Sequence, residues 1–98
     1  DSGEEAERYG ELKILEAQGE IRDLVLQPSF ELEPGFEDAF GTKHRPIHYR
    51  GDFMYFEVAT GRTVVEDTKG FQVDVWRIKR KLFAKRYPHL ELRMLGGN

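Results

Sequence analysis

Residues 63–70, Thr-Val-Val-Glu-Asp-Thr-Lys-Gly, constrain this chain more than any other stretch. They read as a strand that carries three charged side chains. Upstream, residues 46–59 are also strand-like, rich in β-branched and aromatic side chains, and Gly61-Arg62 makes a tight turn between the two runs. Residues 46–59 and 62–69 are therefore expected to form a β-hairpin. Side chains alternate along a strand, so Asp67 and Lys69 share one face while Glu66 and Thr68 take the other. On the earlier run, Asp52 precedes Phe53, Met54, Tyr55 and Phe56. A carboxylate in so apolar a strand is either on a solvent face or paired, hydrogen-bonded or metal-bound, because burying it alone is costly.

The remaining elements follow from periodicity. Residues 3–18 read as a helix with Ser2 and Glu5 at capping-box spacing, an apolar stripe of Tyr9, Leu12 and Leu15, and Gly19 as its stop. Residues 23–32 alternate as an edge strand interrupted by Pro28, and residues 33–45, with Pro34, Gly35 and Gly41, read as a loop. Residues 73–87 return to helical spacing through Val75, Ile78 and Leu82, Pro88 ends that helix, and residues 90–95 alternate as a final strand. The order αβββαβ predicts an α/β fold, a central mixed sheet flanked by helices. The 98 residues suffice for one domain, 1–98, burying roughly two-thirds of the unfolded surface.

Charge is unevenly spread. Residues 1–20 carry seven acidic and two basic side chains, whereas residues 74–87 carry six basic side chains against Asp74 alone. Contact surfaces are governed by local field, so the net charge of −3 does not exclude a nucleic-acid partner. Without cysteine there is no disulfide or zinc–thiolate framework. No apolar run is long enough to span a membrane, no signal peptide is visible, and the location expected is cytoplasmic.

Two carboxylates and a lysine converging on one spot suit chemistry on phosphate. Asp52 and Asp67 can hold Mg²⁺ or Mn²⁺, and Lys69 can orient water or stabilise charge as phosphorus is attacked. The bland alternative for Asp67 and Lys69 is a same-face ion pair, worth little. Glu66 alternates away and is expected to be structural. Lys79 falls within the apolar arc of the second helix, where it either snorkels past the core edge or reaches phosphate. Arg77, Lys81 and Lys85 on that helix, and Arg45 and Arg50 in a basic segment with Lys43, His44 and His48, are candidates for phosphate-backbone contacts. His44 and His48 lie on a loop and strand, not one helix face, which does not suit zinc. Trp76, Phe83 and Tyr87 read as core aromatics.

Asp52 followed by Asp67-x-Lys69 resembles the signature of the PD-(D/E)XK nuclease superfamily, whose core has this same αβββαβ order. The segments 2–21, Leu26-Gln27-Pro28-Ser29-Phe30, Tyr49-Arg50-Gly51-Asp52-Phe53, 65–70, Lys81-Leu82-Phe83 and Tyr87-Pro88 look like a family of small phage and prophage proteins of unknown function assigned to that superfamily. The likeness covers nearly the whole chain. It implies a restriction-endonuclease-like core and a Mg²⁺-dependent DNA endonuclease acting in phage recombination, repair or branched-DNA processing within a bacterial host. It also implies that Glu5 adds a first-helix carboxylate to the metal site, beside its capping reading. Gln27 would contact metal-bound water or phosphate, with surface glutamine as the alternative. A junction-cutting enzyme needs two sites and hence a homodimer, which no sequence feature demands. The competing expectation is a catalytically silent nucleic-acid-binding or complex-forming module on the same fold.

Overall fold

In the computed structural model, which describes residues 2–68 and 74–95, helix α1 spans Ser2–Ala17 and helix α2 Asp74–Arg86. The strands are β1 (Ile21–Leu26), β2 (Ser29–Glu33), β3 (Phe36–Glu37), β4 (Lys43–His44), β5 (Ile47–Arg50), β6 (Phe53–Glu57), β7 (Arg62–Asp67) and β8 (Leu90–Met94). Four of them form one mixed sheet in the order β1-β6-β7-β8, with β7 and β8 parallel and the other pairs antiparallel. Two small antiparallel ribbons, β2 with β5 and β3 with β4, stand apart from it. Setting β2–β5 aside, the elements run α-β-β-β-α-β. Among the described residues, no helix is long and apolar enough to cross a membrane.

The β6–β7 hairpin forms where alternation and turn chemistry agree. Phe53 faces Glu66 and Glu57 faces Arg62 across the pair. The turn closes through Gly61, whose N–H donates to the Glu57 carbonyl at 2.9 Å and whose φ of 71° suits a residue without Cβ. Neighbouring β7 residues divide between two cores. Val64 packs with Leu12, Ile21, Phe53 and Tyr55 on the α1 side, and Val65 packs with Phe30, Leu32, Tyr49, Trp76 and Phe83 on the α2 side. The sheet is thus covered on both faces, as a strand with a parallel neighbour requires.

Helix α1 buries Leu12 fully and ends in a Schellman arrangement. The Glu20 N–H donates to the Leu15 carbonyl at 2.9 Å, the Gly19 N–H to Glu16 at 3.0 Å, and Gly19 has φ 79°. Truncating Leu12 to alanine would cost about 2–5 kcal/mol through lost burial and a cavity.

Several expectations are corrected. Residues 23–32 are not one edge strand. Gln27 adopts φ 51°, turning the chain at Pro28, so that β1 joins the main sheet and β2 the ribbon. Residues 46–59 likewise divide at Gly51-Asp52 into β5 and β6, and the expected loop contains the β3–β4 hairpin. On α2, Val75 and Ile78 are 62% and 59% exposed, while Trp76 and Phe83 face the core with Leu82 at its edge. The bulk of the two aromatic rings selects the buried arc. The ribbon is anchored to α2 by an edge-to-face contact of Phe30 with Phe83, centroids 5.1 Å apart, and by the Tyr87 hydroxyl donating to the Glu31 carbonyl at 2.9 Å.

Candidate active site

Gly51 lets the chain pass very close to β7. A Cβ there would lie 2.8 Å from Val65 Cγ1 and 3.3 Å from the Glu66 carbonyl oxygen. The next residue is fastened on both sides. The Asp52 N–H donates to the Glu66 carbonyl at 2.9 Å, and the Asp52 carbonyl accepts from the Gln27 N–H at 2.8 Å. Asp52 therefore precedes β6 rather than lying within it, at the end of the sheet where β7 finishes.

Asp52 is 4% exposed, and its Oδ2 accepts from both the Thr68 N–H and the Thr68 hydroxyl at 2.7 Å. Asp67, 3% exposed, accepts at Oδ2 from the Tyr49 hydroxyl at 2.7 Å. Burial, then the hydrogen bond to Asp67, then the charges of Asp67 and Asp52, hold the Tyr49 phenol well above its usual pKa. Tyr49 is thus a fixed protonated donor within the field of both aspartates. Asp67 bonds the phenol directly, while Asp52, bonded to Thr68, acts on it only through its charge.

Glu66 takes the opposite face. It is fully buried and accepts from Arg8 Nε at 2.9 Å, Arg8 Nη2 at 2.6 Å and the Tyr55 hydroxyl at 2.5 Å. The forked contact supplies the pairing that a buried carboxylate needs and locks α1 to the sheet. The structural role expected for Glu66 is what its partners display.

A cleft of about 510 Å³ opens beside Asp52, lined by Glu5, Ala6, Tyr9, Leu26, Gln27 and Phe53. Glu5 and Gln27 therefore share one opening, next to the backbone that carries Asp52. Arg8, pinned by Glu66 one turn further along α1, fixes the helix that presents Glu5. Glu5 is half-buried and lies on the α1 side, whereas Asp67 turns to the α2 side with Tyr49. Among the described residues, no three acidic, histidine or cysteine side chains are grouped to hold a metal ion.

Lys69 lies outside the described residues, as does the side chain of Ser2 and with it the capping box. Lys79 is half-buried on α2, and Arg77, Lys81 and Lys85 are exposed on the same helix. Arg45 and Arg50 are exposed before and on β5. Tyr49 and Thr68, which hold the two aspartates, were not singled out by spacing. The available signal for Tyr49 is its place three residues before Asp52 in the Tyr49–Phe53 segment, and for Thr68 its place between Asp67 and Lys69.

No curated protein and no solved structure matches this chain. Residues 1–96 match the family described as "Protein of unknown function (DUF1064)", and the chain belongs to that family.

Proposed function

We propose that this family member is a metal-dependent DNA endonuclease built on the restriction-endonuclease-like core of the PD-(D/E)XK superfamily. One observation carries the reading: Asp52 and Asp67, from separate segments, are both buried where β7 ends, Asp67 held by the Tyr49 hydroxyl and Asp52 by Thr68, the residue that follows Asp67. The order α1, β1, β6, β7, α2, β8, with β8 parallel to β7, supports the αβββαβ assignment.

The donor set fits Mg²⁺ or Mn²⁺. Mg²⁺ is commonly held by one or two carboxylates and keeps several waters, and two hard oxygen ligands on a rigid sheet end meet that need. A bound ion would polarise the scissile phosphate and lower the pKa of an attacking water. The chain's own groups do the rest. Tyr49 and Thr68 hold Asp67 and Asp52 in fixed orientations, and Glu5 and Gln27 face the adjoining cleft, where phosphate or water can be contacted. Lys69, two residues after Asp67, is assigned to the nucleophile or to transition-state charge. Arg45, Arg50, Arg77, Lys81 and Lys85 hold the DNA backbone, and Lys79 supports them from the helix edge. The biological setting that follows is phage or prophage DNA in a bacterial cytoplasm, with a homodimer if the substrate is a junction.

A second reading, a silent binding module on the same fold, is favoured by the double occupation of Asp52 Oδ2 by Thr68. Incubating supercoiled plasmid with Mg²⁺ or Mn²⁺, against EDTA, separates the two. Metal-dependent nicking that Asp52→Asn abolishes supports the enzyme. Binding without cleavage of linear, nicked, flap and four-way DNA establishes the module.

A further inference from the structure

The β3–β4 hairpin carries Phe40 at its tip with 95% of its surface exposed, the most exposed large apolar side chain among the described residues. A single exposed apolar side chain is ordinary on a protein surface, but this one is held out by a tip that hydrogen bonds itself into shape. Asp38 Oδ1 accepts from the Phe40 N–H at 2.9 Å and the Thr42 N–H at 3.0 Å, and Oδ2 lies 2.9 Å from His44 Nε2. The Asp38 N–H donates to the Thr42 carbonyl at 2.9 Å, and Gly41 closes the turn with φ 84°. Phe36 stacks on His44 at 4.7 Å, bracing the base. The ring is thus presented by a preorganised arm instead of lying on the body of the protein.

We infer that Phe40 is a stacking wedge for an unpaired base, which makes DNA with interrupted stacking the substrate class of the site. This rests on the nuclease reading above and adds the substrate's shape. Three features select a base as the occupant. The ring stands between Ala39 and Gly41, so the tip is narrow, a single ring without the roughly 800 Å² per partner that a stable protein interface needs. Every base has a π-face that an aromatic ring can cover without reading sequence. Lys43 and Arg45, the exposed cations that follow the tip, supply positive charge for the phosphates of the bound strand, and Arg50 lies further back at the end of β5. The β3–β4 hairpin has two acids, Asp38 engaged in the turn and Glu37 opposite Lys43, and the β2 strand behind it adds Glu31 and Glu33.

Stacking selects for structure. Entering an intact duplex requires a base step to be unstacked first, whereas a bulge, flap or junction offers a base already free. The arm returns through β5 directly into Gly51-Asp52, so the tip and Asp52 belong to one continuous stretch of chain.

The test is binding in Ca²⁺ to a labelled duplex and to the same duplex carrying one unpaired adenine, using wild type, Phe40→Ala and Phe40→Trp. Thermal unfolding of each variant is followed in parallel, and an exposed tip residue should leave it unchanged. Wild type should prefer the bulged DNA, Phe40→Ala should lose roughly tenfold or more of that affinity while duplex binding holds, and Phe40→Trp should keep the preference. An unchanged preference in Phe40→Ala overturns the wedge and leaves the nuclease reading standing. Failure of wild type to bind either DNA overturns both. If Phe40→Ala instead abolishes self-association in sedimentation without altering DNA preference, the arm contacts protein and the inference is wrong.

Discussion

The Tyr49 hydroxyl donates a 2.7 Å hydrogen bond to Asp67 Oδ2, joining the β2–β5 ribbon to the buried end of the central strand β7. The phenol is protonated because burial and the neighbouring carboxylates disfavour its anion. It is therefore a donor of fixed sense, and it sets which way Asp67 faces.

Tyr49→Phe removes that donor while keeping the ring that packs on Trp76 and Phe83. A loss of about 1–3 kcal/mol in unfolding free energy is expected from denaturant titration, as for a buried bond to a charged group. If Asp67 is a metal ligand, Mg²⁺ affinity should also fall by about 10–100-fold, the usual effect of removing an outer partner. An unchanged Mg²⁺ titration would remove Asp67 from the metal site.

Divalent metal should raise the melting temperature of the wild type more than that of Asp52→Asn, since metal that binds only the folded state stabilises it by mass action. Equal shifts in the two proteins would count against a site at Asp52.

Lys69→Ala should reduce single-turnover cleavage by ~10²–10³, the range for one preorganised electrostatic donor, with DNA affinity in Ca²⁺ little altered. Lys81→Ala or Lys85→Ala should instead weaken binding to all sequences and flatten the salt dependence by roughly one unit per lost phosphate contact. Wild-type cleavage by Lys69→Ala would show the lysine to be misassigned.

On the other face of β7, Arg8→Ala leaves Glu66 fully buried without its forked partner. A cost of about 3 kcal/mol is expected, the lower end for a broken buried pair because Arg8 is partly exposed. Replacing both residues with apolar ones of similar volume should recover much of it. A double variant as unstable as Arg8→Ala would contradict this account.

The arm has its own pH dependence. The His44 contact first, then the Thr42 and Phe40 amides, hold the Asp38 carboxyl below the usual aspartate range. Its folded pKa lies below the unfolded one, so the contribution is complete above the unfolded value, about 3.9. It is lost as pH falls through the depressed folded value. The Phe40 and Thr42 amide resonances should hold steady at mildly acidic pH and move together below that range. Movement centred at an ordinary aspartate pKa would mean that Asp38 does not hold the tip.

Helix α1, the β6–β7 hairpin and the separation of Glu66 from Asp67 were legible in the amino-acid order because each depends on local geometry. Leu12 and Leu15 recur at helical spacing before Gly19, Gly61 permits the turn, and strand alternation alone sends adjacent carboxylates to opposite faces. The division of residues 23–32 and 46–59 between two sheets was not legible. An alternating run looks the same whichever strand it pairs with, and the two breaks depend on the positive φ at Gln27 and the close approach of Gly51 to β7. Nor did spacing reveal which arc of α2 is buried. Val75 and Ile78 fit one helical face as well as Trp76 and Phe83 fit another, and the larger rings took the core that β2 and β5 completed. The amino-acid order alone set the local elements and the opposite faces of Glu66 and Asp67. Tertiary structure alone decided that Tyr49 and Thr68, which no periodicity marks, would meet Asp67 and Asp52, because those bonds join segments that only the folded chain brings together.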